Sequence, residues 1–331
     1  MCLYPRLIEN RKYKANKKNK GIVPQAQDRR VLLVPVGCGN CMECRKQKAN
    51  HWKVRLKEDL RSNKIVKFVT LTFSDESIAK IDKEIKGLSG YDRDNEIAKI
   101  AIRRFLERWR KKYKKSVRHW CVTELGQNST ERLHIHGLLW TEKNIRKIEE
   151  RWQYGKAILG DGKGKHYVNE ETVGYIVKYI SKVDEKHKMY KSKIFTSSGI
   201  GKNYFERKDV EVNKYKGLET NELYTTRSGM KLGLPIYYRN HIYSDEEREK
   251  LWLIKLDEQI RWVDGVKVDV SENDDEYYKL LKIKRAKNKR LGYLDNEKNW
   301  SLKRYENERR NIKKLERIRR LNAKQRQEKV R

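Results

Sequence analysis

Three stretches of the chain carry the alternation or short apolar runs of β-strands. Lys64 to Phe73 is the first, and Phe68-Val69-Thr70-Leu71-Thr72 lies at its heart. Arg118 to Leu125 and Leu133 to Trp140 are the second and third, and the polar loop Gly126 to Arg132 between them predicts a β-hairpin pair. Helical spacing appears elsewhere. Gln47 to Arg61 places Trp52, Leu56 and Leu60 four residues apart. Asn95 to Tyr113 sets Ile97, Ile100, Ala101, Phe105, Leu106 and Trp109 on one apolar face. Asn144 to Trp152 reads as a further helix. Asn169-Glu170-Glu171 supplies an N-cap and first-turn acids for a helix reaching about Val183. Ser244 caps another helix to about Trp262, Asp274 to Leu291 is helical, and Leu302 to Arg331 forms a long basic helix. Lys186 to Tyr215 reads as basic loop. The mixture of strands and helices predicts an α+β protein.

Charge changes the picture most. The 331 residues hold 80 Lys and Arg against 46 Asp and Glu, a formal charge of +34. A field this positive asks for a polyanion, and nucleic acid is the commonest. Solvated Lys-rich faces are the plain alternative. The 19 Tyr and 8 Trp suit stacking on unpaired bases as well as ordinary half-buried positions. The longest apolar stretch, Val31 to Val36, is too short for a membrane span. The opening Met1-Cys2-Leu3-Tyr4-Pro5-Arg6 lacks the pattern of a secretory signal. No phosphate-binding G-x-x-x-x-G-K-[ST] run occurs, so no ATPase engine is expected.

Cysteine usage is concentrated: Cys38, Cys41 and Cys44 fall within seven residues. Three thiolates at this spacing could hold a structural Zn2+ with a fourth ligand from Cys2, His51 or Cys121. Free cytosolic thiols and a redox cluster are the alternatives.

Two constellations carry chemistry. In His134-Ile135-His136, alternation puts both imidazoles on one sheet face. With Glu124 at the end of the neighbouring strand they form a two-His, one-carboxylate set that leaves positions open for a phosphate oxygen on a divalent cation. In Tyr175-Ile176-Val177-Lys178-Tyr179-Ile180-Ser181-Lys182, the two phenols are one helical turn apart, and Lys178 and Lys182 share their stripe. A plain sheet histidine pair and a plain amphipathic helix are the bland readings. Together, on a +34 chain, the pairs point to attack by a tyrosine on a metal-polarised phosphodiester, with the lysines offsetting phosphate charge. The bond energy would be kept in a phosphotyrosine ester, so rejoining would need no ATP.

At these residues the sequence resembles a known family: the replication initiators of the Microviridae, gokushovirus-like members especially, within the HUH endonuclease superfamily. Met1-Cys2-Leu3-Tyr4-Pro5 and Gly37-Cys38-Gly39-Asn40-Cys41-Met42-Glu43-Cys44-Arg45 look like that family's N-terminus, and Phe68 to Phe73 resembles its first motif. Arg132-Leu133-His134-Ile135-His136-Gly137 resembles its metal motif, with Leu133 where Pro is common, and residues 175–182 resemble its nucleophile motif. Ser198-Gly199-Ile200-Gly201 and Leu234-Pro235-Ile236-Tyr237-Tyr238 look like downstream segments.

The resemblance implies an antiparallel RRM- or ferredoxin-like sheet with flanking helices and a basic helical C-terminal extension. It implies single-stranded DNA nicking and joining at a viral origin to start rolling-circle replication, with Mg2+ or Mn2+ as cofactor. Host helicase and polymerase are implied as partners, and the host bacterial cytoplasm as location. The chain then divides into a basic arm, Cys cluster and helix (1–62), an HUH nickase core (63–185), a basic loop-rich segment (186–243) and a helical basic C-terminal region (244–331). Two readings compete: a non-catalytic zinc-containing nucleic-acid-binding protein, and an HUH transposase or relaxase. Relaxases usually carry a third metal-motif histidine and an N-terminal tyrosine, whereas here the tyrosines follow the histidines.

Overall fold

The computed structural model describes residues 2–126, 131–160, 168–184 and 186–294, together with Asn307, Arg310, Arg317, Leu321 and 324–327. The chain divides into two units, Met1–Val54 with Asn203–Glu297, and Arg55–Lys202 with Lys298–Arg331.

The first unit opens with β1 (Arg6–Glu9) paired antiparallel to β2 (Leu33–Val36). The Cys segment and α1 (Met42–Ser62) follow, and α1 runs on into the second unit.

The second unit is built around β3 (Lys67–Thr72). Two helices come next: α2 (Asp75–Asp82), capped by the Ser74 side chain, and α3 (Gly90–Tyr113). The hairpin pair β4 (Arg118–Leu125) and β5 (Leu133–Trp140) spans the residues expected of it. The chain continues through α4 (Ile145–Trp152), β6 (Ala157–Leu159), α5 (Glu170–Ser181) and β7 (Ile194–Thr196). The five strands form one antiparallel sheet in the order β6-β3-β5-β4-β7. Helices flank this sheet, and the fold is α+β.

Alternation decides what each face of the sheet meets. Leu133, Ile135 and Leu139 of β5 join Val69 and Leu71 of β3 and Cys121 and Leu125 of β4 in a buried core. The apolar stripe of α3 (Ile97, Ala101, Phe105 and Trp109) packs into the same core. Gly137 sits opposite Cys121, and a Cβ there would come within 2.7 Å of the Cys121 sulfur. Burial in this core pushes the Cys121 thiol up to about 12. The opposite face carries the even-numbered residues His134 and His136 and meets α5, whose Tyr179 ring stacks on His136.

Helix α5 starts where the sequence predicts. Asn169 and Thr172 form a reciprocal capping box, and Glu170 and Glu171 occupy the first turn. It stops at Ser181, because Lys182 leaves the helical region at φ −58°, ψ 130°. Two strands were not expected. β6 and β7 are three residues long, too short to show alternation, and they serve as the sheet edges. β7 lies in the stretch read as basic loop. Residues 161–167 of the glycine-rich loop and most of Leu302–Arg331 lie outside the described residues.

The chain then returns to the first unit with β8 (Leu223–Thr225), β9 (Lys231–Gly233), α6 (Ile236–Ile242) and α7 (Asp245–Asp257). Ser244 and Glu247 form the capping box of α7. The helix ends at Asp257, short of Trp262. Gln259 turns left-handed at φ 50°, and Trp262 falls in β10 (Ile260–Val263). Asp264 and Gly265, both at positive φ (50° and 84°), close a hairpin to β11 (Val266–Asp269). This is the Asp-Gly pair that a two-residue turn with left-handed central residues favours. Helix α8 (Asp275–Arg290) completes the described fold. No helix among the described residues is long and apolar enough to cross a membrane.

Candidate active site

Strand register sets the floor of the site. On one sheet face Thr70 of β3 lies opposite His136 of β5, Thr72 lies opposite His134, and Glu124 of β4 also lies opposite His134. Helix α5 lays Tyr175 and Tyr179 over this face.

His136 is held at both ring nitrogens. The Thr70 hydroxyl donates to the carbonyl of Gly160 at 2.7 Å, so its oxygen is left to accept from His136 Nδ1 at 3.0 Å. That fixes the tautomer and turns Nε2 toward Glu124 Oε2, 2.8 Å away. A ring oriented from behind by a hydroxyl is the usual support of a metal-ligating histidine. Phe68 closes the other flank, with its centroid 6.2 Å from His136 and 5.9 Å from Tyr175.

Glu124 is the electrostatic pivot. Lys182 Nζ donates to its Oε1 at 3.1 Å, while His136 takes Oε2. Burial alone would raise this carboxyl, but the hydrogen bond and charge of His136, aided by Lys182, hold it below the usual carboxylate range. It therefore stays ionised. His134 is shifted in the other sense: burial first, and the neighbouring His136 second, lower it and favour a neutral ring with a free lone pair. A Cβ at Gly126 would stand 3.3 Å from His134 Cε1, so the glycine leaves room for that ring at the end of β4.

The two phenols are brought together. Tyr179 donates its hydroxyl to the Tyr175 oxygen at 3.0 Å. The Tyr179 ring lies parallel to His136, at 4.2 Å between centroids and 3° between planes. Lys178 Nζ stands 3.5 Å from the Tyr175 ring centroid, and Lys182 Nζ is 5.9 Å from that of Tyr179. Tyr179 is buried at 7 % exposure and Tyr175 is half-buried, so a ligand reaches Tyr175 more readily.

The convergence is incomplete for a cation. Among the described residues, the single group of three or more His, Cys, Asp or Glu ligand atoms within 4.8 Å of one another is Cys2, Cys38, Cys41 and Cys44. Glu124, His134 and His136 share a face without drawing their ligand atoms that close, because the Glu124 carboxylate is engaged by His136 and Lys182. The chemistry of the donors nonetheless suits a divalent ion: one ionised carboxylate, one oriented imidazole and one neutral imidazole.

The thiol cluster lies in the other unit and could coordinate a metal ion. Its fourth member is Cys2. His51 is not part of the group, and Cys121 is in the sheet core.

Sequence reasoning missed two supports. Thr70 is one; its role depends on register. The other is His187, 2 % exposed, whose Nδ1 faces Asp184 Oδ2 and whose Nε2 faces Glu131 Oε2, each at 2.8 Å. This buried contact ties the segment entering β5 to the segment leaving α5, the two elements that carry the site. Burial would raise Asp184, yet the hydrogen bond from His187 and the backbone N–H groups of Lys186 and His187 hold it low. Its contribution to stability is present above the ordinary carboxylate value and lost as pH falls through the depressed one. We expect His187→Gln to lower unfolding free energy by about 3 kcal/mol in urea titration at pH 7, because two buried carboxylates lose their shared cationic partner. The same variant should be less sensitive to acid between about pH 4 and pH 3, since part of the group that titrates there has lost its stabilising partner.

Residues 66–184, about a third of the chain, match a family model of replication-associated proteins, the ORF2 type among them. The match contains Glu124, both histidines, both tyrosines and both lysines. No curated protein and no solved structure is similar enough to add to it.

Proposed function

We propose that this protein is a metal-dependent, tyrosine-nucleophile endonuclease that nicks and rejoins single-stranded DNA and starts rolling-circle replication of a small phage genome of the Microviridae type. The observation that carries the reading is the meeting of four groups: the Tyr179 ring lies on the His136 imidazole at 4.2 Å, its hydroxyl reaches Tyr175 at 3.0 Å, and Lys182 reaches Glu124 at 3.1 Å. The match to a replication-associated family over residues 66–184 supports the same reading.

Glu124, His136 and His134 would hold Mg2+ or Mn2+, which when bound supplies charge neutralisation and polarisation of the scissile phosphate. The rest is the work of side chains. Lys178 and Lys182 attract the phosphate and offset its charge. A tyrosine oxygen attacks phosphorus, forming the phenol O–P bond as the P–O3′ bond breaks. The phenolic proton passes through the paired hydroxyl, or through water, to the departing 3′ oxygen. One DNA piece leaves with a 3′-hydroxyl and the other stays on the protein through its 5′-phosphate. Attack by a 3′-hydroxyl on the ester reverses the step, and a second tyrosine permits two successive transfers.

The test uses a pool of random-sequence single-stranded DNA labelled separately at the 5′ and 3′ ends, with Mn2+. The 3′ label is expected to stay on the protein through denaturation and the 5′ label to be released. Adduct carrying the 5′ label instead, or binding with no adduct in any metal, would reject the reading; the second outcome would leave a non-catalytic nucleic-acid-binding protein. Binding itself should weaken about 100-fold to 1,000-fold between 50 and 200 mM salt if about six phosphates are neutralised.

A further inference from the structure

The four thiols outside this site are arranged for one metal ion. Cys2 and Cys41 sulfurs are 3.9 Å apart, Cys38 and Cys44 are 4.0 Å apart, and all four sulfurs lie within 4.8 Å of one another. Four sulfurs each about 2.3 Å from a tetrahedral zinc ion stand about 3.8 Å apart. A disulfide needs about 2.05 Å, and all five cysteines are free.

The surroundings are built for thiolates. Cys2 Sγ accepts from the backbone N–H of Tyr4 and of Cys38, each at 3.2 Å. Cys38 Sγ accepts from Asn40 N–H at 3.4 Å and Cys41 N–H at 3.3 Å. Gly39, at φ 75°, lets the Cys38–Cys41 loop curl back in this way. Cys44 sits in the first turn of α1, where the helix dipole favours negative charge. Arg45, 7 % exposed, stands near Cys38 and Cys41 and brings a buried positive charge. The backbone also leaves the space: a Cβ at Gly37 would come within 3.0 Å of Cys44 Sγ.

The cluster is the hub of a thin core. Leu3, Cys41, Met42, Val263 and Leu281 are buried together, with Tyr277, Leu280 and Tyr293 packed around them. Polar contacts lock the same pieces: Met42 N–H donates to Asn288 Oδ1 at 2.8 Å, and Arg285 donates to the Leu3 carbonyl at 2.8 Å. Five buried side chains are a small core for joining the N-terminal segment, the start of α1, the β10–β11 hairpin and α8. Small cores are commonly completed by a structural metal.

The geometry points to a structural zinc site in which Cys2, Cys38, Cys41 and Cys44 each give one thiolate to a single Zn2+, binding the N-terminal segment to α1 and α8. Thiolate ligands select zinc among the common divalent ions, and four protein ligands close the coordination sphere, so no position is left for catalysis. Protons still on the thiols leave to solvent as the ion binds. This site is independent of the Tyr175/Tyr179 reading, and its test does not use DNA.

The full chain, purified without chelators or metal-affinity resin, is analysed for metal by mass spectrometry. One zinc per chain is expected, and five thiols should titrate after denaturation with a chelator. Cobalt substitution should give the thiolate charge-transfer and d–d bands of a tetrahedral tetrathiolate. Cys2→Ser should lower zinc occupancy at least about tenfold at limiting free zinc, with cobalt bands shifted toward a three-sulfur set. Zinc removal from wild type should reduce hydrogen-exchange protection in residues 2–45 and 260–294. No metal, iron in place of zinc, fewer than five thiols, full zinc retention in Cys2→Ser, or unchanged protection on removal would each overturn the proposal.

Discussion

Tyr175→Phe combined with Tyr179→Phe should abolish the covalent protein–DNA adduct, at a loss of at least about 1,000-fold in cleavage, while affinity for single-stranded DNA changes less than about threefold. The expected size follows from removing a nucleophile outright, which leaves only positioning and charge to act on the phosphodiester. The substitution is clean for a structural reason. The two hydroxyls hydrogen-bond to each other at 3.0 Å, so deleting both strands neither donor nor acceptor. The rings stay, with Tyr179 stacked on His136 and Tyr175 against Phe68. Unfolding free energy should therefore move by less than about 1 kcal/mol. The single variants separate the roles. Tyr175 is the more exposed phenol and accepts the hydrogen bond, so Tyr175→Phe should remove most of the first cleavage, while Tyr179→Phe should still form an adduct and fail in the second transfer. Adduct formation at wild-type rate in the double variant, measured by denaturing gel, would remove both tyrosines from the mechanism.

Much of this geometry was legible beforehand, and the reason lies in periodicity. On a strand of period two, His134 and His136 can only share a face; on a helix of period 3.6, Tyr175 and Tyr179 can only share a stripe. What those rules do not say is which sheet face the helix covers, and that depends on packing. The odd residues of β5 are Leu, Ile, Gly and Leu, so they go to the α3 core, and the histidines are left facing α5. Thr70 was hidden because a threonine in an apolar strand looks like β-propensity until its partner across the register is known. His187 was hidden because its carboxylates come from positions 131 and 184, which no spacing rule connects. Cys2 stood among the candidates for the fourth thiol-cluster ligand, but only the fold could choose it over His51 and Cys121. The Asp264-Gly265 hairpin was a readable signal that lost to the helical pattern begun at Ser244.

Glu124→Gln should be the most informative single change at the sheet. The amide keeps the carboxylate's shape and removes its charge. If Glu124 helps to hold a divalent cation, cleavage should fall about 100-fold to 1,000-fold at low Mn2+ and recover in part as Mn2+ is raised, because the defect is in metal affinity. If Glu124 only pairs with protein cations, cleavage should fall without any shift in Mn2+ dependence. The stability effect runs in parallel and does not distinguish these outcomes: His136 and Lys182 both lose their anionic partner, at a cost of about 1–3 kcal/mol. Binding of single-stranded DNA should be unchanged or slightly stronger, since a negative charge leaves a basic surface. His136→Ala supplies the control. It removes the Nε2 ligand atom and the ring on which Tyr179 stacks, so it should lose cleavage at every Mn2+ concentration while keeping salt-sensitive binding. A Glu124→Gln variant that cleaves like wild type at limiting Mn2+ would leave the imidazoles without a carboxylate partner and move the third ligand elsewhere on the sheet.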